Sequence, residues 1–128
     1  WKVYLAVSQL YLGKCVVVSK RHCEDLAELE IEEWHDFIEL VKRLEDAFRK
    51  AFNATLFNWT CLMNKAYTAK KPVPHVHWHF RPRYRCAVEF MGLLFEDKKF
   101  GHHYIRGETR RIPEEVRNGI IKKVKENL

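Results

Sequence analysis

From Glu30 onward, apolar residues return at three- and four-residue steps: Ile31, Trp34, Ile38, Val41, Leu44, Phe48 and Phe52, with Glu, Asp, Lys and Arg between them. That period predicts one long amphipathic helix. Glu30, Glu32 and Glu33 fall in its first turn and Arg49 and Lys50 near its end, which complements the helix dipole. Ahead of it, Trp1–Val7 and Cys15–Ser19 are short β-branched and aromatic runs joined through Gly13, the pattern of a strand pair. Behind it, Thr55–Leu62, the strictly alternating Val73–Arg81, and Cys86–Leu94 read as three more strands, the last interrupted by Gly92. Pro113 then stands at a first helical position, followed by Glu114, Glu115 and the apolar Val116, Ile120 and Val124, predicting a short C-terminal helix. Strands on both sides of one long helix, without repeated strand-helix-strand units, predict an α+β fold with a largely antiparallel sheet.

The chain has 128 residues, 47% of them hydrophobic and 31% charged, which fits one globular core and excludes a disordered chain. No repeat, low-complexity tract or Gly/Ser linker divides it, so a single domain over residues 1–128 is expected. Apolar runs are a few residues long and the opening Trp1-Lys2-Val3-Tyr4 lacks a signal pattern, so a cytoplasmic protein without a membrane partner is expected. The four cysteines have no C-x-x-C spacing and are expected as free thiols. A net charge of +6 directs attention to anionic partners, with phosphates and nucleotides favoured over nucleic acid.

The chemistry concentrates in Pro74-His75-Val76-His77-Trp78-His79-Phe80-Arg81-Pro82-Arg83-Tyr84. On a strand, alternate residues share a face, so His75, His77 and His79 line one side while Val76, Trp78 and Phe80 turn to the core. A single strand histidine is ordinarily just a satisfied polar group; three at strict alternation suit either metal ligation or nucleophilic and acid-base chemistry. A zinc site would need a further ligand such as Cys23, Asp97, His22 or His102. The flanks are instead cationic, with Lys70, Lys71, Arg81, Arg83 and Arg85, which favours a phosphate over a metal ion. A histidine can attack phosphorus when its δ-nitrogen is held as a donor, for which a backbone carbonyl is the natural partner, and its ε-nitrogen is free.

The stretch His-Val-His-Trp-His-Phe-Arg-Pro-Arg-Tyr resembles the signature of the histidine triad family of nucleotide hydrolases and transferases, in its short prokaryotic form. Gly13 through His22 is similar to that family's glycine, apolar strand and basic segment ending in histidine, with Ser19 in place of proline. Phe57 through Asn64 resembles the strand that leads to its phosphate-side Asn or Gln. The resemblance implies a homodimer that needs no cofactor and attacks an α-phosphorus through His77, with His79 on the phosphate and leaving-group side and His22 and His75 as a supporting hydrogen-bonded pair. It implies that Asn64 orients the phosphate and that Tyr4 and Val7 line the base and ribose pocket. Lys71 occupies the place of the family's loop glutamine, Pro72 that of a hydroxyl residue, and Ala6 that of a ribose-binding aspartate. The N-terminal cysteine pair that binds zinc in some relatives is absent. Two other classes follow from the residues: a binding module for nucleotides or nucleic acid with slow turnover, and a zinc hydrolase built on His75, His77 and His79.

Overall fold

The computed structural model describes all 128 residues. Strand β1 (Lys2–Leu5), β2 (Cys15–Val18), β3 (Leu56–Cys61) and β4 (His77–Arg83) form one antiparallel sheet in the order β1-β2-β4-β3. Helix α1 (Ile31–Phe52) covers one face of that sheet, and α2 (Glu114–Lys125) packs against α1. The remaining strands, β5 (Val88–Phe90) and β6 (Leu93–Phe95), make a separate hairpin. No helix is long and apolar enough to cross a membrane. The α+β expectation is met.

The long helix starts where the charges predicted. Glu33 accepts the Glu30 backbone N–H at 2.9 Å, which satisfies a donor that the first turn leaves open. At the other end Asn53 adopts the left-handed conformation (φ 56°) and its N–H bonds Arg49 O at 2.9 Å, so the chain turns back into β3. Phe37 stacks on Trp78 (4.9 Å between ring centroids) and Phe48 meets Phe80 edge-on (5.2 Å). The Trp78 and Phe80 side of β4 is therefore the core side, together with Val17 of β2, and Phe48, Phe80 and Val17 are fully buried. Alternation sends His77, His79 and Arg81 to the opposite face.

A tight turn before β2 fixes that register. Gln9, fully buried, accepts from Gly13 N (2.8 Å) and donates to Ala6 O (2.8 Å) and Lys14 O (3.0 Å). Gly13 has φ 74° and lies so close to α1 that an added Cβ would stand 2.0 Å from Phe48 Cε1, so only glycine fits. Arg117 of α2 reaches over to donate to Leu5 O (3.1 Å) and Ala6 O (2.8 Å), tying the last helix to the end of β1.

Three expectations are corrected. Cys86–Leu94 is not one strand: Met91 (φ 49°) and Gly92 (φ 75°) both take positive φ, the conformation of a two-residue hairpin turn, and β5 folds back on β6. The alternating run Val73–Arg81 becomes a strand only at His77 and continues through Arg83. Pro74 has no N–H to offer a ladder, and Val76 instead bonds Cys23 O (2.9 Å) and Ser19 N (3.2 Å). Pro113 caps α2 from outside with an extended ψ of 150°, and the helix begins at Glu114.

Candidate active site

Strand β4 is central, with β2 on one side and β3 on the other, so its outward side chains sit on a rigid platform. His77 lies opposite Val18 and His79 opposite Val16 and Thr60. The two rings stand at right angles, 5.0 Å between centroids and 85° between planes. His75 precedes the strand and turns away from this pair toward His22, Nδ1 to Nδ1 at 3.1 Å. The three imidazoles thus divide into a facing pair on β4 and a third ring paired with His22.

Hydrogen bonding fixes the tautomers. His77 Nδ1 lies 2.8 Å from the carbonyl oxygen of His75, which can only accept, so Nδ1 carries the proton and Nε2 keeps its lone pair. His75 Nε2 stands 3.0 Å from Ser19 O and is a donor for the same reason. The second nitrogen of His75, Nδ1, is then the one that meets His22 Nδ1, and His22 Nε2 looks toward Glu24 Oε1 at 3.7 Å. A relay of directed bonds runs from Ser19 and His22 through His75 to His77. It orients the ring of His77 and places a carbonyl dipole where positive charge on that ring would be stabilised.

His79 differs. Its Nδ1 is buried without a partner, and burial, then the neighbouring His77, Arg81 and Lys14, push its pKa down to about 4. At neutral pH it is an uncharged imidazole among cations.

The other sequence-predicted residues are distributed around this pair. Tyr4 is exposed on edge strand β1 and shares a row with Val16 and His79. Val7 follows the end of β1, its side chain exposed and its carbonyl 3.4 Å from Arg117. Asn64 opens a short 3-10 turn (Asn64–Thr68) just after β3, exposed and making no side-chain hydrogen bond within the chain. Lys71 is exposed in the segment leading to His75, as are Lys70 and Pro72. Arg83, counted with the cationic flank, is buried 1% exposed and neutralised by Asp97 (2.6 and 3.0 Å), so it faces no ligand.

Sequence reasoning missed Ser19, Thr60, Lys14 and Tyr104. Ser19 acts through its carbonyl, which no residue type announces. Lys14 was legible in principle: alternation outward from Val16 puts it on the histidine face. Tyr104, whose ring lies 4.0 Å from the Arg81 guanidinium, comes from a loop far along the chain, just after His102, whose carbonyl Arg83 holds. No group of three or more His, Cys, Asp or Glu side chains is arranged to hold a metal ion.

Comparison with known proteins bears on the fold and the family. A histidine triad (HIT) protein from Sinorhizobium meliloti superposes with a TM-score of 0.75 at 18% identity, over 98% of this chain and 82% of that one. A Hit-like protein from Bartonella henselae described as involved in cell-cycle regulation gives 0.67 at 19% identity, over 98% and 79%. A hypothetical histidine triad nucleotide-binding protein from Sulfolobus tokodaii gives 0.69 at 17% identity, over 98% and 75%. These likenesses establish the fold. No functionally curated protein matches the chain. The sequence model of the HIT domain matches residues 7–86, more than half of the chain and all three histidines of β4 and its approach: the chain belongs to the histidine triad family.

Proposed function

We propose that this protein is a nucleotide hydrolase or nucleotidyl transferase that works through a covalent nucleotidyl-histidine at His77. The observation that carries the reading is the 2.8 Å contact from His77 Nδ1 to the His75 carbonyl. It leaves Nε2 unprotonated on an outward-facing, rigidly held ring. Family membership makes a nucleotide the natural ligand, and the lysines at 14, 70 and 71 and Arg81 make the surroundings favourable to phosphate.

In the first step the Nε2 lone pair attacks the α-phosphorus and a new P–N bond forms. The bond from phosphorus to the leaving group's bridging atom, oxygen in a phosphoanhydride or nitrogen in a phosphoramidate, breaks with its electron pair going to that atom. Charge rises on the imidazole as this happens, and the Nδ1–H bond to His75 O strengthens against it. His79, neutral at physiological pH, donates a hydrogen bond to a phosphoryl oxygen; Asn64 and Lys71 hold the phosphate from the other side, and Tyr4 and Val7 flank the nucleoside. In the second step water, or another acceptor hydroxyl or phosphate, attacks phosphorus, the P–N bond breaks, and the pair returns to Nε2. The acceptor proton leaves to the released phosphate or solvent.

A zinc hydrolase gains no support from the ring orientations, because His75 commits both nitrogens to His22 and Ser19 and offers none beside His77 and His79. We also propose a homodimer. β3 is a six-residue edge strand with half-buried Phe57 and Trp59 and exposed Leu56 and no lysine or proline to block pairing.

The test is turnover by His77→Asn and His77→Ala. Loss of roughly 10⁴-fold or more in kcat is expected, the scale seen when a nucleophile is removed, with the fold retained. Either variant turning over a dinucleoside polyphosphate or nucleoside phosphoramidate at near wild-type rate would overturn the assignment.

A further inference from the structure

Past His79, the histidine face of the sheet runs into a cavity of about 300 Å³, walled by Lys14, Leu62, Arg81, Tyr104 and Arg106. It neighbours the site by register: Cys15 lies opposite Phe80 and Val16 opposite His79, so Lys14 and Arg81 fall in the next row of the same face. From His77 to Arg81 is four residues of strand, roughly 13 Å between Cα atoms at about 3.3 Å per residue.

Two arginines stand two positions apart on β4, both buried, and the protein accommodates them differently. Arg83 is 1% exposed, and its guanidinium donates to both carboxylate oxygens of Asp97, to Asn58 Oδ1 (3.1 Å), His102 O (3.0 Å) and Lys99 O (2.6 Å). That uses every N–H donor an arginine has, and its charge is cancelled in place. Arg81 is 8% exposed and makes one hydrogen bond, to Thr60 Oγ1 at 3.2 Å. It has no carboxylate partner. Its guanidinium rests 4.0 Å from the centroid of the Tyr104 ring, which Arg106 also faces at 5.8 Å.

Lys14, half-buried, is equally without an ion-pair partner, and burial and then Arg81 push its pKa down. Glu108, exposed at the rim, is the one carboxylate on the wall. Arg81 is absent from the buried, partnerless polar atoms, so the N–H groups it does not spend on Thr60 open into the cavity, and two partly desolvated cations side by side gain from an anion placed between them. A planar guanidinium with free N–H groups beside a point-charge lysine is the donor set that phosphate fits.

We propose that this cavity is an anion subsite that receives a second phosphate group of the same molecule whose α-phosphorus meets His77. The inference rests on the nucleotide reading above and extends it: the substrate class is a nucleotide with two phosphate groups set apart, either on the ribose or at the far end of a polyphosphate chain. Tyr104 holds the Arg81 guanidinium in plane by stacking, and Arg106 closes the rim.

The experiment is calorimetric titration at fixed ionic strength with a nucleoside 5′-monophosphate, the corresponding 3′,5′-bisphosphate and 2′,5′-bisphosphate, and the 5′-tetraphosphate. At least one ligand with the added phosphate is expected to bind 10-fold or more tightly than the monophosphate, and which one does so separates the ribose source from the chain source. That gain should vanish in Arg81→Gln and fall at least threefold in Lys14→Gln and in Arg106→Gln, while Lys122→Gln, on the exposed side of α2, leaves it unchanged. The Lys14 and Arg106 variants keep the test intact should Arg81→Gln not fold. Equal affinities across the four ligands in the wild type, or a gain that survives the substitutions, would overturn the subsite and leave the nucleotide reading standing. A subsite that is only structural would show Arg81→Gln lowering Tm with the ratio of affinities unchanged. Failure of the monophosphate itself to bind would overturn the nucleotide reading and the subsite with it.

Discussion

His79 shows what a residue's surroundings add to its identity. Free in solution its ring takes a proton near 6.5, whereas in the fold burial and neighbouring cations hold it neutral down to about 4. Between those two values the unfolded chain binds more protons than the native one, so this group makes stability fall as pH drops from about 6.5 toward 4, and contributes no slope above that window. Urea titrations at pH 7 and pH 5 should therefore show a smaller loss for His79→Gln than for the wild type; identical losses would mean the ring is not held neutral. Bound phosphate supplies the missing negative charge, so nucleotide binding near pH 5 should take up protons in the wild type and not in His79→Gln, which calorimetry in buffers of different ionisation enthalpy measures. In the proposed site Lys71, exposed and unpaired, would act at the same scale but by charge alone. Lys71→Gln should flatten the salt dependence of nucleotide binding and Lys71→Glu should weaken binding. If Lys71→Glu binds as the wild type does, that lysine is not at the phosphate.

The elements were readable from the sequence wherever one period persisted for several turns. Ile31 to Phe52 carried a 3.6-residue pattern with charges to match, and the helix occupies those residues. Where backbone chemistry overrides the pattern, reading failed. Met91 and Gly92 look like the weak middle of one strand but take two consecutive positive φ angles and make a hairpin turn; Met91 gives no sign of this, since turn residues of that kind are ordinarily Asn, Asp or Gly. Alternation around His75 was likewise real in sequence, yet Pro74 keeps that stretch out of the ladder. Glycine positions separate the two causes of strain. Gly13→Ala meets both a positive φ and Phe48 at 2.0 Å, whereas Gly92→Ala meets only the φ of 75°. Chemical denaturation should give a loss of about 1 to 2 kcal/mol for Gly92→Ala and a clearly larger one for Gly13→Ala, where overpacking adds about 1 to 3 kcal/mol. Equal losses would mean that α1 yields at Phe48. The buried Arg83–Asp97 pair ties the 97–102 segment to β4, and Asp97→Ala, which strands a buried guanidinium, should cost about 3 to 5 kcal/mol.

At the scale of the molecule, one sheet separates two environments: α1 and the aromatic core on one side, and on the other a polar face in which His77, His79, Arg81 and Lys14 follow one another. Sequence spacing identified the three alternating histidines, and histidine chemistry led to the expectation of a backbone carbonyl at a δ-nitrogen, where His77 has the carbonyl of His75. It did not distinguish the two buried arginines, because what separates them is Asp97, brought in from a loop fourteen residues away. Nor did it show His75 leaving the face of its neighbours, because that depends on His22 in the segment that follows β2. A homodimer joined through β3 should sediment at twice the 15.4 kDa of one chain, and a single-chain mass at micromolar concentration would contradict that assembly. The central claim, a covalent nucleotidyl group on His77, is tested most directly by trapping it. Wild-type protein mixed with a nucleotide labelled at the α-phosphorus and quenched in base within the first turnover should carry one acid-labile nucleoside monophosphate per chain. Peptide mass spectrometry should place it on His77, and His77→Asn should carry none. Turnover of that nucleotide with no adduct at any quench time, or an adduct on another residue that persists in His77→Asn, would contradict the account.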